Sequence, residues 1–242
     1  MSDATCTYRL SRFYNWSDST TYHYFKYEPI KWRVLSVNGN DAFLLADKGL
    51  DDQRYNTSYT SVTWETATIR SWLNGYSASS NDCGTDYTGK NFLDTAFGSS
   101  EQRAIKTTAV INDDSIKYGT NGGNNTNDKI FLLSESEVYT DSATSYGFDS
   151  DYRESDKARR SKSSTYCKAM GTDSSKSLDY RGNCGWWLRS PGHDANNVAS
   201  VDCDGYVYGY GYVVGYGNNY AVRPALHLNL SSSNLYSYAG TV

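Results

Sequence analysis

The chain has 242 residues, enough for one large domain or two small ones to bury most of the surface that the unfolded chain exposes. Its 23 Tyr, 7 Phe and 6 Trp exclude an intrinsically disordered chain, which would be poor in aromatic residues. A net charge of -4 without a basic cluster argues against a nucleic-acid partner, and every apolar run is far shorter than the roughly 20 residues that cross a bilayer.

The first clear element is a β-hairpin that follows an N-terminal stretch of weak periodicity. Residues 1–26 are predicted to be an extension of strand and loop. Lys31–Val37 and Asp41–Ala46 are apolar or β-branched runs on either side of an Asn-Gly-Asn turn signal, a pattern typical of two paired strands. The N-terminus itself lacks the charged and apolar blocks of a secretory signal. We therefore expect either a cytoplasmic protein or one whose signal or upstream region has been removed.

Helical periodicity is clearest between Thr63 and Gly75, where apolar residues repeat on one face and an Asn-Gly pair predicts the end of the helix. Other predicted elements are a helix at Asn91–Phe97, a helix beginning at Glu101 with Ser99 or Ser100 as cap, a strand at Lys129–Leu133, a helix starting at Ser134–Val138, and a helix within Asp156–Met170. Asn112–Asp128 is rich in turn formers and is predicted to be a loop. Short elements with long polar connections predict an α+β fold of small antiparallel sheets, a few helices and long loops.

The five cysteines lie far apart and form no CxxC pair, so they do not indicate zinc or redox chemistry: Cys6, Cys83, Cys167, Cys184 and Cys203. They are interpreted as small buried hydrophobic residues, with one disulfide such as Cys167–Cys184 as the alternative. Their odd number leaves at least one thiol free. Trp186, Trp187, Arg189 and Arg223 are predicted to be scaffold, because Trp buries a large area and Arg can fork onto backbone carbonyls.

The segment from Gly192 to Val222 has an unusual alphabet of Gly, Val, Tyr, Asn, Asp, Ala, His, Ser and Cys alone. Val198, Val201, Val207 and Val213, with Ala195 and Ala199, can anchor it while the interleaved polar and aromatic residues face outward. We therefore expect these valines to be more buried than the tyrosines between them. The candidate ligand-binding residues are His193, Asp194, Asn196, Asn197, Ser200, Asp202, Asp204, Tyr206, Tyr208, Tyr210, Tyr212, Tyr216, Asn218, Asn219 and Tyr220. An ordinary antiparallel meander would explain the rings but not the missing residue types.

Four motifs resemble a domain family of the C-type lectin-like fold whose members are often the target proteins of diversity-generating retroelements: Tyr27–Leu35, the Trp64–Asn74 helix, Trp186–Gly192 and Val222–Leu226. The resemblance implies a C-type lectin-like domain over residues 27–242, with a variable region at about 192–222. In such systems adenine substitution turns AAC or AAT codons into Asn, Tyr, Asp, Ser, His, Cys, Gly or Val codons. It further implies a receptor or adhesin domain that binds a protein ligand without a cofactor, located at the cell surface, outside the cell or on a phage particle.

Two other functions remain open. A carbohydrate-binding lectin would stack sugars on the same rings, and the Asp202/Asp204 and Asp149/Asp151 pairs are possible calcium ligands, but neither continues as a full calcium loop and no Glu-Pro-Asn or Gln-Pro-Asp triplet is present. A formylglycine-generating type of oxidase would need a cysteine pair near the C-terminus, where only Cys203 lies, with Cys184 the nearest in sequence. The three histidines, His23, His193 and His227, fit no catalytic spacing. We therefore expect no enzymatic activity and no metal site.

Overall fold

The structure, a computed structural model, describes residues 7–8, 23–25, 28–140, 146–151, 154–215, 220–231 and 240. Its strands are β1 (Thr7–Tyr8), β2 (His23–Tyr24), β3 (Trp32–Asn38), β4 (Asp41–Ala46), β5 (Asp51–Asp52), β6 (Ile105–Lys106), β7 (Thr108–Val110), β8 (Thr126–Asp128), β9 (Ile130–Phe131), β10 (Ser161–Lys162), β11 (Asn183–Pro191), β12 (Asn197–Val201), β13 (Val207–Val213), β14 (Tyr220–Val222) and β15 (Ala225–Asn229). Its helices are α1 (Thr68–Asn74), α2 (Phe92–Ala96), α3 (Ser99–Ala104), α4 (Glu135–Tyr139) and α5 (Thr165–Met170). Short 3-10 turns at Trp64–Thr66 and Ala78–Ser80 lie on either side of α1.

Most strands in the described part of the chain belong to two sheets. The large sheet has the order β13-β12-β11-β14-β5, with β10 also paired to β11. The small sheet has the order β3-β4-β15-β6, with β9 also paired to β15. Among these strands β11 and β14 pair in parallel, and the other pairs are antiparallel. The predicted α+β class with small, mostly antiparallel sheets and few helices is therefore confirmed.

Hydrophobic residues of both sheets and of α1 belong to the same core cluster, which includes Leu45, Leu73 and Trp187. Strand β4 is buried along most of its length because it has a partner on each side. Strand β3 is an edge strand, and its outward Val34 and Val37 are exposed. The predicted hairpin is confirmed, with Asn38 opposite Asp41 at its turn.

The predicted helix at 63–75 forms in two pieces. Ala67 is extended and separates the 3-10 turn from α1, which ends as expected with Gly75 in the left-handed region at a φ of 72°. The predicted helix start at Ser134 is also confirmed, since its side chain accepts a hydrogen bond from the backbone amide of Glu137. The predicted helix at Asn91–Phe97 forms as α2, and the Asn91 side chain caps it by accepting the Asp94 amide.

Three boundaries were wrong. Helix α3 begins two residues before Glu101 with Gly98 as its N-cap, because the Glu101 carboxylate itself accepts the Gly98 amide. The Lys129–Leu133 strand contracts to the two residues of β9, and the Asp156–Met170 helix contracts to α5. The chain before α5 instead wraps around the fully buried Arg159, whose guanidinium donates to five backbone carbonyls, of Val138, Asp149, Asp151, Glu154 and Gly205.

The scaffold prediction for the Trp and Arg motifs is confirmed. Trp186 and Trp187 are buried on β11. Arg189 donates to the carbonyls of Leu132 and Ile111, and Arg223 donates to the carbonyl of Ala46 while it lies over the Trp186 ring. Arg223 therefore links Trp186 of the large sheet to Ala46 of the small sheet, and Arg189 links β11 to the residues that follow β7 and β9.

Cys167 and Cys184 are buried as free thiols, as the small-hydrophobe interpretation predicts, and no disulfide joins them. Cys83 and Cys203 are also free and are partly exposed, so that interpretation does not hold for them. Within the predicted N-terminal extension the structure describes β1 and β2, which pair with each other. No described helix is long and apolar enough to span a bilayer, since the longest has 7 residues.

Candidate ligand-binding surface

The segment with the restricted alphabet forms the edge of the large sheet. Strand β12 pairs with β11, and β13 pairs only with β12 among the described strands. A turn at Asp202–Gly205 connects β12 to β13, with the Gly205 amide donating to the Asp202 carbonyl. The segment is therefore supported on one side by the Trp-bearing strand β11 and open on the other.

Burial follows the predicted division between apolar and aromatic positions. Val198, Val201 and Val207 are at most 1% exposed, whereas Tyr210 is 45% and Tyr212 is 39% exposed. Tyr206 and Tyr208 are half-buried. The buried valines can hold β12 and β13 to the core while the more accessible tyrosines change. On β12 this division does not follow the alternation of a strand, since every residue from Val198 to Val201 is buried and Val198 lies directly opposite Tyr212.

Two anchors differ from the prediction. Val213 is half-buried and Val214 takes the buried position. Before them, three residues of β13 oppose the single residue Ala199, and the register shifts there. Gly211 lies at this bulge with a φ of +80°, and a Cβ on it would stand 2.6 Å from the Val198 carbonyl oxygen. Ala195 is exposed and anchors only through its backbone, whose carbonyl accepts the Val62 amide.

Six aromatic rings form a continuous surface cluster, here called the tyrosine platform: Tyr118, His193, Tyr208, Tyr210, Tyr212 and Tyr220. His193 stacks on Tyr210 with ring centres 4.7 Å apart and 11° between the planes, and Tyr118 meets both edge-on. Tyr208 lies 6.1 Å from Tyr210 and 4.7 Å from Tyr212. Tyr212 continues to Tyr220 at 4.8 Å. Each ring therefore restricts its neighbour, and the platform is preorganised.

The platform continues into the core through Tyr220. Its ring centre lies 4.7 Å from that of the buried Trp187, which in turn lies 6.2 Å from Tyr55. The Trp187 indole nitrogen donates to the Gln53 carbonyl at 3.0 Å. The displayed rings thus rest on a fixed aromatic layer, which limits how far they can move.

Carboxylates border the platform at the β12–β13 turn. Asp202 Oδ1 accepts the Tyr220 hydroxyl at 2.9 Å, and burial raises the pKa of the Asp202 carboxyl above its usual range. Asp204 is held differently, since its two oxygens accept the Tyr206 amide and the Ser155 hydroxyl, both at 2.9 Å. Asp204 therefore stabilises the turn, while Asp202 lies among the rings.

The other end of the platform is polar and linked to neighbouring loops. His193 Nδ1 lies 3.0 Å from an Asp194 carboxylate oxygen, and the His193 carbonyl accepts the Thr120 hydroxyl. Asn196 donates its side-chain amide to the Tyr59 hydroxyl at 2.8 Å, and Asn197 is half-buried. These side chains lie at the surface beside the rings, where a ligand can reach them.

One candidate residue does not lie at the surface. Ser200 is fully buried, and its hydroxyl has no hydrogen-bond partner among the described residues. The prediction that Ser200 contacts a ligand was wrong, because both faces of β12 are buried from Val198 to Val201 and Ser200 lies directly opposite Tyr208, on the same face. Three further candidates, Tyr216, Asn218 and Asn219, lie outside the described residues.

Sequence reasoning missed residues that reach the platform from other segments. Tyr118 and Thr120 belong to the loop before β8, and Tyr59 belongs to the loop before α1, so only the tertiary fold brings them there. Glu135 was also missed. It is 1% exposed, and a Cβ on Gly209 would lie 2.5 Å from its Oε1, so its carboxylate lies against β13. Burial raises the pKa of Glu135 to about 7.

The Asp149/Asp151 and Asp202/Asp204 pairs are the possible calcium ligands. Asp149 accepts the Asp151 amide and so closes a local turn, as Asp204 does at the β12–β13 turn. Within the described ranges no group of three or more His, Cys, Asp or Glu side chains is arranged to hold a metal ion. The carboxylates of Asp149 and Asp204 therefore accept backbone amides in turns, and that of Asp202 lies beside the rings.

Comparison with curated proteins and with solved structures gives no match. The model of one protein family, described as a domain of unknown function (DUF6273), matches residues 39–230. That range contains the small-sheet hairpin from its turn onward, the Trp and Arg scaffold and the whole tyrosine platform. The match covers well over half of the chain, and the protein therefore belongs to the DUF6273 family.

Proposed function

We propose that this protein is a ligand-binding display domain of C-type lectin-like fold, whose tyrosine platform is diversified by a retroelement to recognise changing protein targets. In this proposal the domain acts as a receptor or adhesin at the cell surface, outside the cell or on a phage particle. It needs no cofactor and performs no catalysis.

One observation carries the proposal: most polar and aromatic residues in the described part of the segment are accessible, while Val198, Val201 and Val207 between them are buried. Tyr210 and Tyr212 are exposed beside the fully buried Val198, Val201 and Val207. A contiguous exposed aromatic patch is uncommon on a protein that binds nothing. The alphabet of the segment explains the patch if its displayed positions are free to vary and its anchors are not.

The chemistry of the platform supports a protein ligand. Tyrosine provides a large rigid ring and a hydroxyl at low cost in conformational entropy, and Asn and Asp add adaptable hydrogen bonds, as in antibody binding sites. The rings also restrict one another and rest on Trp187 through Tyr220. Little ordering therefore remains to be done when a ligand binds, which favours affinity.

The test compares binding of the wild-type chain and two variants to protein, peptide and glycan arrays, with and without calcium. Tyr210→Ser/Tyr212→Ser removes the two exposed rings of the platform. Val34→Ser/Val37→Ser is the matched control, because it removes two comparably exposed apolar side chains from the small sheet. Protein ligands that are lost only in the tyrosine variant support the proposal. Ligands that bind all three proteins alike would refute it.

Two other outcomes separate the alternatives. Selective binding of glycans through the same rings would replace the protein ligand by a sugar and make the domain a lectin. Turnover of a cysteine-containing peptide in the presence of copper would indicate an oxidase of the formylglycine-generating type. We expect no turnover, because burial raises the pKa of the Cys184 thiol and a thiolate is the reactive form.

A further inference from the structure

Tyr208 and Tyr212 on β13 and Tyr220 on β14 form a row of rings that ends at a carboxylate. Tyr208 and Tyr212 lie 4.7 Å apart with 40° between their planes, and Tyr212 and Tyr220 lie 4.8 Å apart with 39° between theirs. The Tyr220 hydroxyl donates to Asp202 Oδ1 at 2.9 Å. These four residues, Asp202, Tyr208, Tyr212 and Tyr220, are called the Asp202 patch below.

Nothing in the described part of the chain neutralises this carboxylate. No described Lys or Arg forms an ion pair with Asp202. Burial raises the pKa of its carboxyl, and the charge of Asp204, which has the same sign, raises it further. Among the described residues Oδ2 has no hydrogen-bond donor. The segment from Gly192 to Val222 contains no Lys or Arg at all. A half-buried carboxylate without a cation is an unfavourable arrangement, which an incoming cation would relieve.

The rings beside Asp202 favour a cation as well. The face of an aromatic ring carries partial negative charge and attracts ammonium and guanidinium groups. The opposite end of the same platform already has this contact, since Lys117 Nζ lies 5.1 Å from the Tyr118 ring centre. At the Asp202 patch the ring faces are combined with a carboxylate, and no described cation lies over them.

A guanidinium fits this combination better than an ammonium. It is planar, so it can stack on a tyrosine ring while its edge donates to a carboxylate oxygen. The Tyr220 hydroxyl occupies Oδ1 and leaves Oδ2 for such a donor. Arginine is also enriched among the residues that dominate binding energy at protein interfaces.

We propose that the Asp202 patch anchors an arginine side chain of the protein ligand, with the guanidinium stacked on Tyr208 or Tyr212 and hydrogen-bonded to Asp202. This inference rests on the proposed function, because it specifies what the displayed surface of this particular sequence selects. The partner is then a protein or peptide that presents an exposed arginine.

The test is a titration of isotope-labelled protein, followed by nuclear magnetic resonance, with N-acetyl-arginine methylamide. The matched probes are the lysine analogue and the citrulline analogue, which replaces the guanidinium by a neutral urea of the same shape. We expect the arginine probe to shift the ring signals of Tyr208, Tyr212 and Tyr220. It should bind about tenfold more tightly than citrulline, as a charge-assisted contact does relative to a neutral one.

Two variants of the Asp pair make the test specific. Asp202→Asn should weaken arginine binding by about tenfold and remove the preference over citrulline. Asp204→Asn is the control, since it removes the same charge two residues further along the chain. The Asp204 carboxylate already accepts the Ser155 hydroxyl and the Tyr206 amide. This control variant should change the affinity by less than about twofold, as expected for a charge outside the contact. The amide spectrum of each variant shows whether the fold is retained.

A third variant keeps the inference falsifiable if Asp202→Asn disturbs the turn. Tyr220→Phe keeps the ring but frees Asp202 Oδ1 for a second donor, so arginine binding should be retained or strengthened. Equal binding of the arginine and citrulline probes to the wild type would overturn the inference. So would arginine binding that Asp202→Asn leaves unchanged in a folded protein.

Failure of this inference and failure of the proposed function give different results. If array ligands depend on Tyr210 and Tyr212 while the arginine probe neither binds nor competes with them, the arginine anchor alone is wrong. If no array ligand depends on those tyrosines while the probe still binds the Asp202 patch, the anchor stands and the display function is wrong.

Discussion

The sharpest stability prediction compares the displayed rings with the tryptophan beneath them. Tyr210→Ser/Tyr212→Ser removes two side chains that are 45% and 39% exposed, together with ring contacts to His193, Tyr208 and Tyr220. An exposed substitution usually costs within about 0.5 kcal/mol. The lost ring contacts are partly solvated, so we expect a total loss of about 1–2 kcal/mol in the free energy of unfolding.

Trp187→Ala should cost far more. Trp187 is 2% exposed, packs between Tyr55 and Tyr220, and leaves the Gln53 carbonyl without its indole donor when truncated. Removal of a buried Trp costs roughly 3–5 kcal/mol. For a chain of this size each kcal/mol lowers the melting temperature by about 2–4 °C. The tyrosine variant should therefore melt within about 8 °C of the wild type and the tryptophan variant roughly 6–20 °C below it.

The assay is thermal unfolding followed by circular dichroism, with urea unfolding of the same proteins to obtain free energies. Val34→Ser/Val37→Ser again serves as the control for the loss of exposed apolar surface. A tyrosine variant that loses as much stability as Trp187→Ala would refute the reasoning, because the rings would then belong to the core and the segment would be an ordinary meander.

Three further predictions concern residues around the platform. Gly211→Ala should destabilise the protein by about 1–3 kcal/mol in urea unfolding, because φ is +80° there and the new Cβ meets the Val198 carbonyl; no loss would show that the bulge is not constrained. Arg159→Met should cost at least about 3–5 kcal/mol or prevent folding, because five backbone carbonyls around a buried guanidinium lose their donor; near-wild-type stability would contradict this role. Glu135 keeps its proton up to about pH 7 when folded, whereas the unfolded chain releases it near pH 4.5, so stability should fall by up to about 3 kcal/mol as the pH rises through this window. Glu135→Gln should reduce the loss of unfolding free energy between pH 5 and pH 8, measured by urea melts. Part of the loss should remain in that variant, because burial also raises the pKa of Asp52 to about 7. An unchanged loss in Glu135→Gln would exclude Glu135 as its source.

Local patterns predicted the elements whose signals lie within a few residues. The β3–β4 hairpin, the end of α1 at Gly75 and the start of α4 at Ser134 follow from turn and cap chemistry, which needs no tertiary information. The burial of Val207 between the half-buried Tyr206 and Tyr208 follows from the two-residue period of a strand. The burial of Val214 in place of Val213 at the end of β13 does not follow from that period.

Properties that depend on neighbouring elements could not be predicted from the pattern. Ser200 was expected to face outward, yet it is buried on the face that it shares with Tyr208, which lies directly opposite on β13. Tyr118 and Tyr59 reach the platform from loops that are distant in sequence. Arg159 is polar and lies in a polar stretch, so nothing local indicates that its guanidinium is buried among backbone carbonyls.

The measurement that tests the central claim most directly is deep sequencing of the DNA that encodes residues 190–222 in a population of the source organism. The proposed display function predicts substitutions at adenines in the codons of exposed and half-buried residues such as Asp202, Tyr210 and Tyr212. It predicts none in the codons of the buried Val198, Val201 and Val207, and an adjacent near-repeat that differs mainly at adenines. Substitutions spread evenly over both groups of codons, without preference for adenine, would contradict it.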